Sequence, residues 1–107
     1  MSQTEPTKLA HCVYFTLKEK TPEAQQQLIA ACQQYLTDHP GTLQFSAGPR
    51  ATEYQRPVND SDFDIALVIV FATKADHDQY QVSERHQQFL ASQSDTWAQV
   101  RVFDAFG

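Results

Sequence analysis

The run Phe63-Asp64-Ile65-Ala66-Leu67-Val68-Ile69-Val70-Phe71-Ala72 constrains the fold more than any other stretch. After Asp64 it contains no polar residue. As a strand it puts Ile65, Leu67, Ile69 and Phe71 on one face and Ala66, Val68 and Val70 on the other. It is too short to span a membrane, which takes ~20 apolar residues. Its β-branched content favours a strand over a buried helix. A strand that is apolar on both faces is covered on both. The chain's own helices can take one face. With 107 residues too little chain is left for the other, so a second copy is the simplest cover and a homodimer is expected.

The rest of the chain supplies three more strands and the helices. Met1 to Lys8 is polar, contains Pro6, and reads as a loose N-terminal arm (residues 1–8) before a single domain at 9–106. Leu9 to Leu17 is a strand with Leu9, His11, Val13, Phe15 and Leu17 on one face. Thr21-Pro22-Glu23 starts a helix, with Thr as N-cap, Pro at the first helical position and an acid near the positive dipole end. Ala24, Leu28, Ala31, Cys32, Tyr35 and Leu36 form its apolar stripe, and Asp38-His39-Pro40-Gly41 ends it. Thr42 to Arg50 is a weaker strand, placed at a sheet edge by Gly48-Pro49.

A polar loop, 51–61, leads into the apolar run. Thr73 then caps a helix over Lys74 to Gln81. A second helical segment, from about Ser83 to Ser92, carries His86, Phe89 and Leu90 on one face, and Trp97 to Phe106 is the last strand. The order β-α-β-β-α-β predicts an α+β, ferredoxin-like sandwich. That is a four-stranded antiparallel sheet with helices on one face and the first and third strands central.

Charge and motifs exclude several function classes. With 8 Lys and Arg against 13 Asp and Glu, the net charge is −5. Nucleic-acid and anionic-membrane surfaces need clustered cations, so neither partner is expected. The chain has no GxGxxG, Walker A, GxSxG, HExxH or CxxC pattern. Cys12 and Cys32 stand in no motif and read as two buried thiols of a reducing compartment. No apolar leader opens the chain, and the expected location is cytoplasmic.

The chemistry-bearing candidates are Tyr80 and His86. Six residues apart, they miss a shared helix face by roughly 120°. They converge only if the helix breaks at Gln81-Val82-Ser83, with Ser83 capping the next turn. An imidazole beside a phenol could then move a proton near neutral pH; the alternative is a packed tyrosine and a satisfied histidine. His11 sits on an apolar strand face, where it is either a core residue or a neighbour of His86. A zinc site lacks a third and fourth ligand at recognisable spacing, so no metal is expected. Asp60, Asp62 and Asp64 alternate like the start of a calcium loop. Ile65 and Phe71 stand where that loop needs Gly and Glu, which leaves an exposed acidic stretch. His39 and His77 each adjoin an Asp and read as exposed, without a role.

Over about Leu9 to Phe106 the chain resembles the Dabb family, the stress-responsive dimeric α/β-barrel domain. The resemblance rests on His11 in the first strand, Pro40-Gly41 before the second, Gly48 within it, the DFDIALVIVF run, and the Tyr80…His86 pair. It implies the ferredoxin-like fold and a face-to-face homodimer. It also implies a stress-response protein with a small-molecule pocket and no cofactor. A plant polyketide cyclase of the family has a catalytic His and Tyr that match His86 and Tyr80 and a pocket His that matches His11. The chain departs from that pattern at Ser83-Glu84, where the family often has His-Pro, and at Ile65, where the cyclase has a pocket His. The resemblance therefore implies either a binding protein or a cofactor-independent lyase or cyclase. In the latter, His86 would remove a proton α to a carbonyl, Tyr80 would assist, and His11, Phe15, Ile65, Leu67 and Phe89 would line the pocket. Cofactor-free monooxygenases of the wider dimeric barrel group give a further alternative, on fold alone.

Overall fold

A computed structural model describes residues 7–107. The expected N-terminal arm falls outside them except at Thr7 and Lys8. Lys8 is tied to Gly107 by two backbone hydrogen bonds of 3.2 and 2.9 Å.

Four strands, β1 (Leu9–Leu17), β2 (Thr42–Pro49), β3 (Ile65–Phe71) and β4 (Trp97–Phe106), form one antiparallel sheet in the order β2-β3-β1-β4. The two most apolar strands are central and the proline-bearing strand is at an edge, as the sequence predicts. Three helices pack on one face: α1 (Pro22–Tyr35), α2 (Lys74–Gln81) and α3 (Glu84–Gln93). A short 3-10 turn, Ser94–Thr96, joins α3 to β4. This is the ferredoxin-like β-α-β-β-α-β sandwich, with its second helix in two pieces.

Alternation fixes which residues meet the helices. On β1 and β3 every odd-numbered residue is buried and every even-numbered one is half-buried. The core therefore gathers Val13, Phe15 and Leu17 from β1, Ile65, Leu67, Ile69 and Phe71 from β3, and Leu28, Cys32 and Leu36 from the first helical segment. The opposite sheet face carries Ala10, Cys12, Tyr14, Ala66, Val68, Val70 and Phe103. It is apolar; the loop before β3 lies over its Tyr14–Phe103 part, and among the described residues no helix or strand packs on it. Cys12 lies there half-buried, so only Cys32 is the buried thiol expected; burial pushes it up to about 12.

The caps are those that local sequence predicts. Thr21, Thr73 and Ser83 have extended backbones, and their side chains accept from Ala24 N, Asp76 N and His86 N. The three aspartates before β3 diverge instead of forming a cage. Asp60 pairs with Arg101 at 2.8 Å. The Asp62 carbonyl accepts from Thr16 and Arg101. Asp64 accepts from Lys20 Nζ at 2.7 Å and from Leu17 N at 2.8 Å.

Candidate functional site

The site is made by the break between α2 and α3. Val82 ends the first helix, and Ser83 leaves helical space at φ −67°, ψ 153° before starting the second. The Ser83 hydroxyl donates to Tyr80 O at 2.9 Å and accepts from His86 N at 3.1 Å, so one side chain serves both helix ends. The turn it holds brings the Tyr80 and His86 rings to 4.9 Å between centroids, inclined at 71°. Tyr80 is 2% exposed.

Around Tyr80 stand all four histidines of the chain. Centroid separations from its ring are 4.9 Å for His39, 4.9 Å for His86, 5.8 Å for His11 and 6.4 Å for His77. Two of these correct the sequence reading. His39 is buried, with its Nε2 donating to the Tyr35 carbonyl at 2.8 Å. It thereby caps a C-terminal carbonyl of α1 that would otherwise be orphaned. His77 is half-buried, and its ring lies 4.9 Å from that of His11. A signal for His77 was present, since it is three residues before Tyr80 and shares its helix face. None marked His39, which Asp38 at φ 63° turns back onto the helix.

His11 and Asp104 are directly opposed across β1 and β4. The His11 Nδ1–H donates to Asp104 Oδ1 at 2.6 Å, which leaves Nε2 as the free nitrogen. Burial lowers the His11 pKa and outweighs the Asp104 carboxylate, which acts the other way. The contact is thus a hydrogen bond from a neutral imidazole to the carboxylate near pH 7. His86 is also held below its usual value, first by burial and then by the positive charge that His11, His39 and His77 would carry. Its Nδ1 is buried and has no hydrogen-bond partner. The Tyr80 phenol is pushed well above its ordinary value, chiefly by burial.

His11, Tyr80, His86 and Gln81 form the polar part of a cavity of about 260 Å³. Phe15, Leu67, Phe89, Leu90 and Trp97 form its apolar part, and Val100 and Val102 on the edge strand form its mouth, 37% and 49% exposed. The Trp97 indole Nε1 is a second buried polar atom without a partner. Of the expected lining residues, His11, Phe15, Leu67 and Phe89 meet here. Ile65 does not: it is wholly buried in the core, nearer the far end of β3.

A larger cavity of about 530 Å³ lies on the other face of the sheet, under the 50–64 loop. It has no imidazole. Its arginines are already engaged: Arg50 by Phe63 O, Arg56 by Asn59, and Arg101 by Asp60. The smaller cavity is the one that His11, Tyr80 and His86 line together. For metals, His11, His77 and Asp104 offer donor atoms all within 4.8 Å of one another. They come from three elements, which no local spacing could reveal.

Solved structures share this architecture. A dimeric ferredoxin-like protein of unknown function from Thermobifida fusca aligns with a TM-score of 0.78 at 17% identity, over 98% of this chain and 95% of its own. A Dabb family protein from Mesorhizobium loti gives 0.76 at 18%, over 92% and 95%. A hydroxynitrile lyase from Passiflora edulis gives 0.76 at 17%, over 96% and 95%. No curated protein matches the sequence. Among the described residues no helix is long and apolar enough to cross a membrane. The model of the stress responsive A/B barrel domain matches residues 9–106, and the chain belongs to that family, Dabb.

Proposed function

We propose that the protein is a homodimer whose cavity handles a small carbonyl compound, with His86 as general base and Tyr80 as the hydrogen-bond donor to the oxygen that gains charge. One observation carries the reading: the Tyr80 and His86 rings meet at 4.9 Å in the wall of one cavity, where burial favours the neutral imidazole. A histidine and tyrosine kept only for structure would satisfy each other. This pair does not.

A neutral imidazole has a lone pair for a proton on the carbon α to a carbonyl. Removing that proton moves charge to the carbonyl oxygen. The phenol stays protonated at any physiological pH, so it remains able to donate there. His11, oriented by Asp104, is the second polar contact. The acid/base pair needs no cofactor for this step. A volume of about 260 Å³ is slightly under the ~300 Å³ lower end for ligand pockets, which favours a small substrate. That a hydroxynitrile lyase shares the fold agrees with lyase-type chemistry on this scaffold.

The apolar sheet face opposite the helices supports the dimer, and the Thermobifida protein is described as dimeric. The remaining elements of the reading, a cytoplasmic location and no nucleic-acid or membrane partner, rest on composition.

The test follows exchange of α-protons for deuterium in small β-keto esters and 1,3-diketones by NMR. Exchange above the buffer rate that is lost in His86→Ala, with the variant still folded and dimeric, is expected. Equal exchange by parent and variant would remove His86 from the chemistry and leave a ligand-binding dimer.

A further inference from the structure

We propose that His11, His77 and Asp104 form a binding site for a divalent transition cation of the zinc class, beside the cavity wall that His11 supplies. The site shares His11 and Asp104 with the proton-transfer reading but does not use its base and donor, His86 and Tyr80.

Three separate elements present the donors. His11 and Asp104 are opposed in the β1–β4 register, and His77 lies on the first turns of α2. Their donor atoms all fall within 4.8 Å. A tetrahedral zinc holds its ligands about 3.4 Å apart. His11 Nδ1 and Asp104 Oδ1 are already closer than that, at 2.6 Å, with the His11 proton between them; a cation bound there replaces that proton, which leaves to solvent, and His11 takes the Nε2–H tautomer. The remaining adjustment falls mainly on Asp104, the more exposed of the two outer donors. Asp104 is 42% exposed and His77 13%.

The contacts of His77 set its tautomer for the task. Its Nδ1–H donates to Asp78 Oδ1 at 3.1 Å, and its Nε2 accepts a long contact from the Gln81 amide at 3.4 Å. A carboxylate on one nitrogen and a lone pair on the other is the arrangement that metal-binding histidines adopt. The donor set of two neutral imidazoles and one carboxylate suits zinc, cobalt or nickel better than magnesium or calcium, which take oxygen ligands. Three protein ligands leave a fourth position for water or for a ligand from the cavity.

The full chain, tag removed and stripped with EDTA, is titrated with Zn²⁺ by calorimetry and with Co²⁺ by visible absorption. One ion per chain is expected, with a Kd on the order of 1 μM or tighter. Mg²⁺ should not compete. The cobalt spectrum should lack a thiolate charge-transfer band, which separates this site from Cys12. Asp104→Asn and His77→Ala should each weaken binding at least about tenfold. Both positions are partly exposed, so these variants are expected to fold, and zinc should raise the Tm of the parent far more than theirs. His86→Ala should bind zinc like the parent while losing proton exchange, so the two readings fail separately. A Kd weaker than the order of 1 mM, a thiolate band, or binding that Asp104→Asn and His77→Ala leave unchanged would overturn the site.

Discussion

Tyr80 and His86 stand ring to ring at 4.9 Å although six residues separate them, because Ser83 interrupts the helix between them. The Ser83 hydroxyl bonds Tyr80 O and His86 N together. Ser83→Ala removes both bonds and should cost about 1 kcal/mol of stability, the usual worth of an N-cap. Proton exchange should fall much more than the lost folded fraction explains, since the two rings lose their common anchor. Urea unfolding and exchange rates on the same sample compare the two. Exchange that merely tracks stability would deny Ser83 a positioning role.

Arg85 connects the site to the other helix. Its Nη1 donates to Thr37 O at 2.8 Å and its Nη2 to Gln34 O at 2.6 Å. The last turn of α1 has no basic residue of its own, so α3 supplies the cation that its carbonyls and dipole favour. Arg85→Met keeps the aliphatic stem and removes both donors. We expect a loss of about 1–2 kcal/mol, since charged donors are worth more than neutral ones but this pair is partly exposed. Chemical denaturation measures it. No loss would mean that water replaces the guanidinium without penalty.

The fold was legible because its signals are local or periodic. The DFDIALVIVF run, the three caps and the 2- and 3.6-residue periods each name an element, and together they leave one arrangement. The Tyr80–His86 convergence was legible as a condition, since the break at Gln81-Val82-Ser83 could be seen as necessary and Ser83 as the residue able to make it. His39 and Asp104 were not legible. One depends on a left-handed Asp38 that turns the chain back, and the other on strand register across 93 residues. The expected pocket role of Ile65 came from family position alone. In the sheet, alternation puts it on the helix face, but near the end of β3 that the core fills.

Gly41 lies tight against α2. Its φ is +82°, and a Cβ there would run into the Asp76 side chain. Asp76 is held by Thr73 at the start of α2, and Gly41 O accepts from Ala72 N at 2.8 Å. Gly41→Ala therefore combines backbone strain with a collision at a helix cap and should cost about 2 kcal/mol or more. Differential scanning calorimetry on the two proteins decides it. An unchanged Tm would show that Asp76 moves aside freely.

The dimer should be sensitive to charge on the open face of the sheet. Val68 is central there, paired with Cys12 on one side and Ser46 on the other. Val68→Asp leaves the helix-side core untouched and places a carboxylate where a second sheet would pack dry. Sedimentation is expected to give twice the chain mass of 12.2 kDa for the parent and a single chain for the variant. A parent that sediments as one chain would remove the homodimer outright.

Acid should weaken the fold through the histidine cluster. Unfolded, the His86 imidazole takes up a proton near pH 6.5. Folded, it resists, because burial and the neighbouring imidazoles of His11 on β1, His77 on α2 and His39 after α1 all disfavour its charge. Tyr80 and Cys32, the other titratable groups packed there, stay neutral in this range. The unfolded state therefore binds more protons, and stability rises with pH. The contribution is complete above about pH 6.5 and is lost as pH falls toward the depressed folded value. Asp60, Asp64 and Asp78 have lowered pKa values and titrate below this window, so they do not mask it. Urea midpoints measured in EDTA between about pH 7.5 and 5.5 should fall steadily for the parent. His86→Gln, which cannot charge, should flatten the slope. An equal slope in both proteins would show that His86 is protonated in the folded state at no cost, and would remove the neutral base proposed for the site.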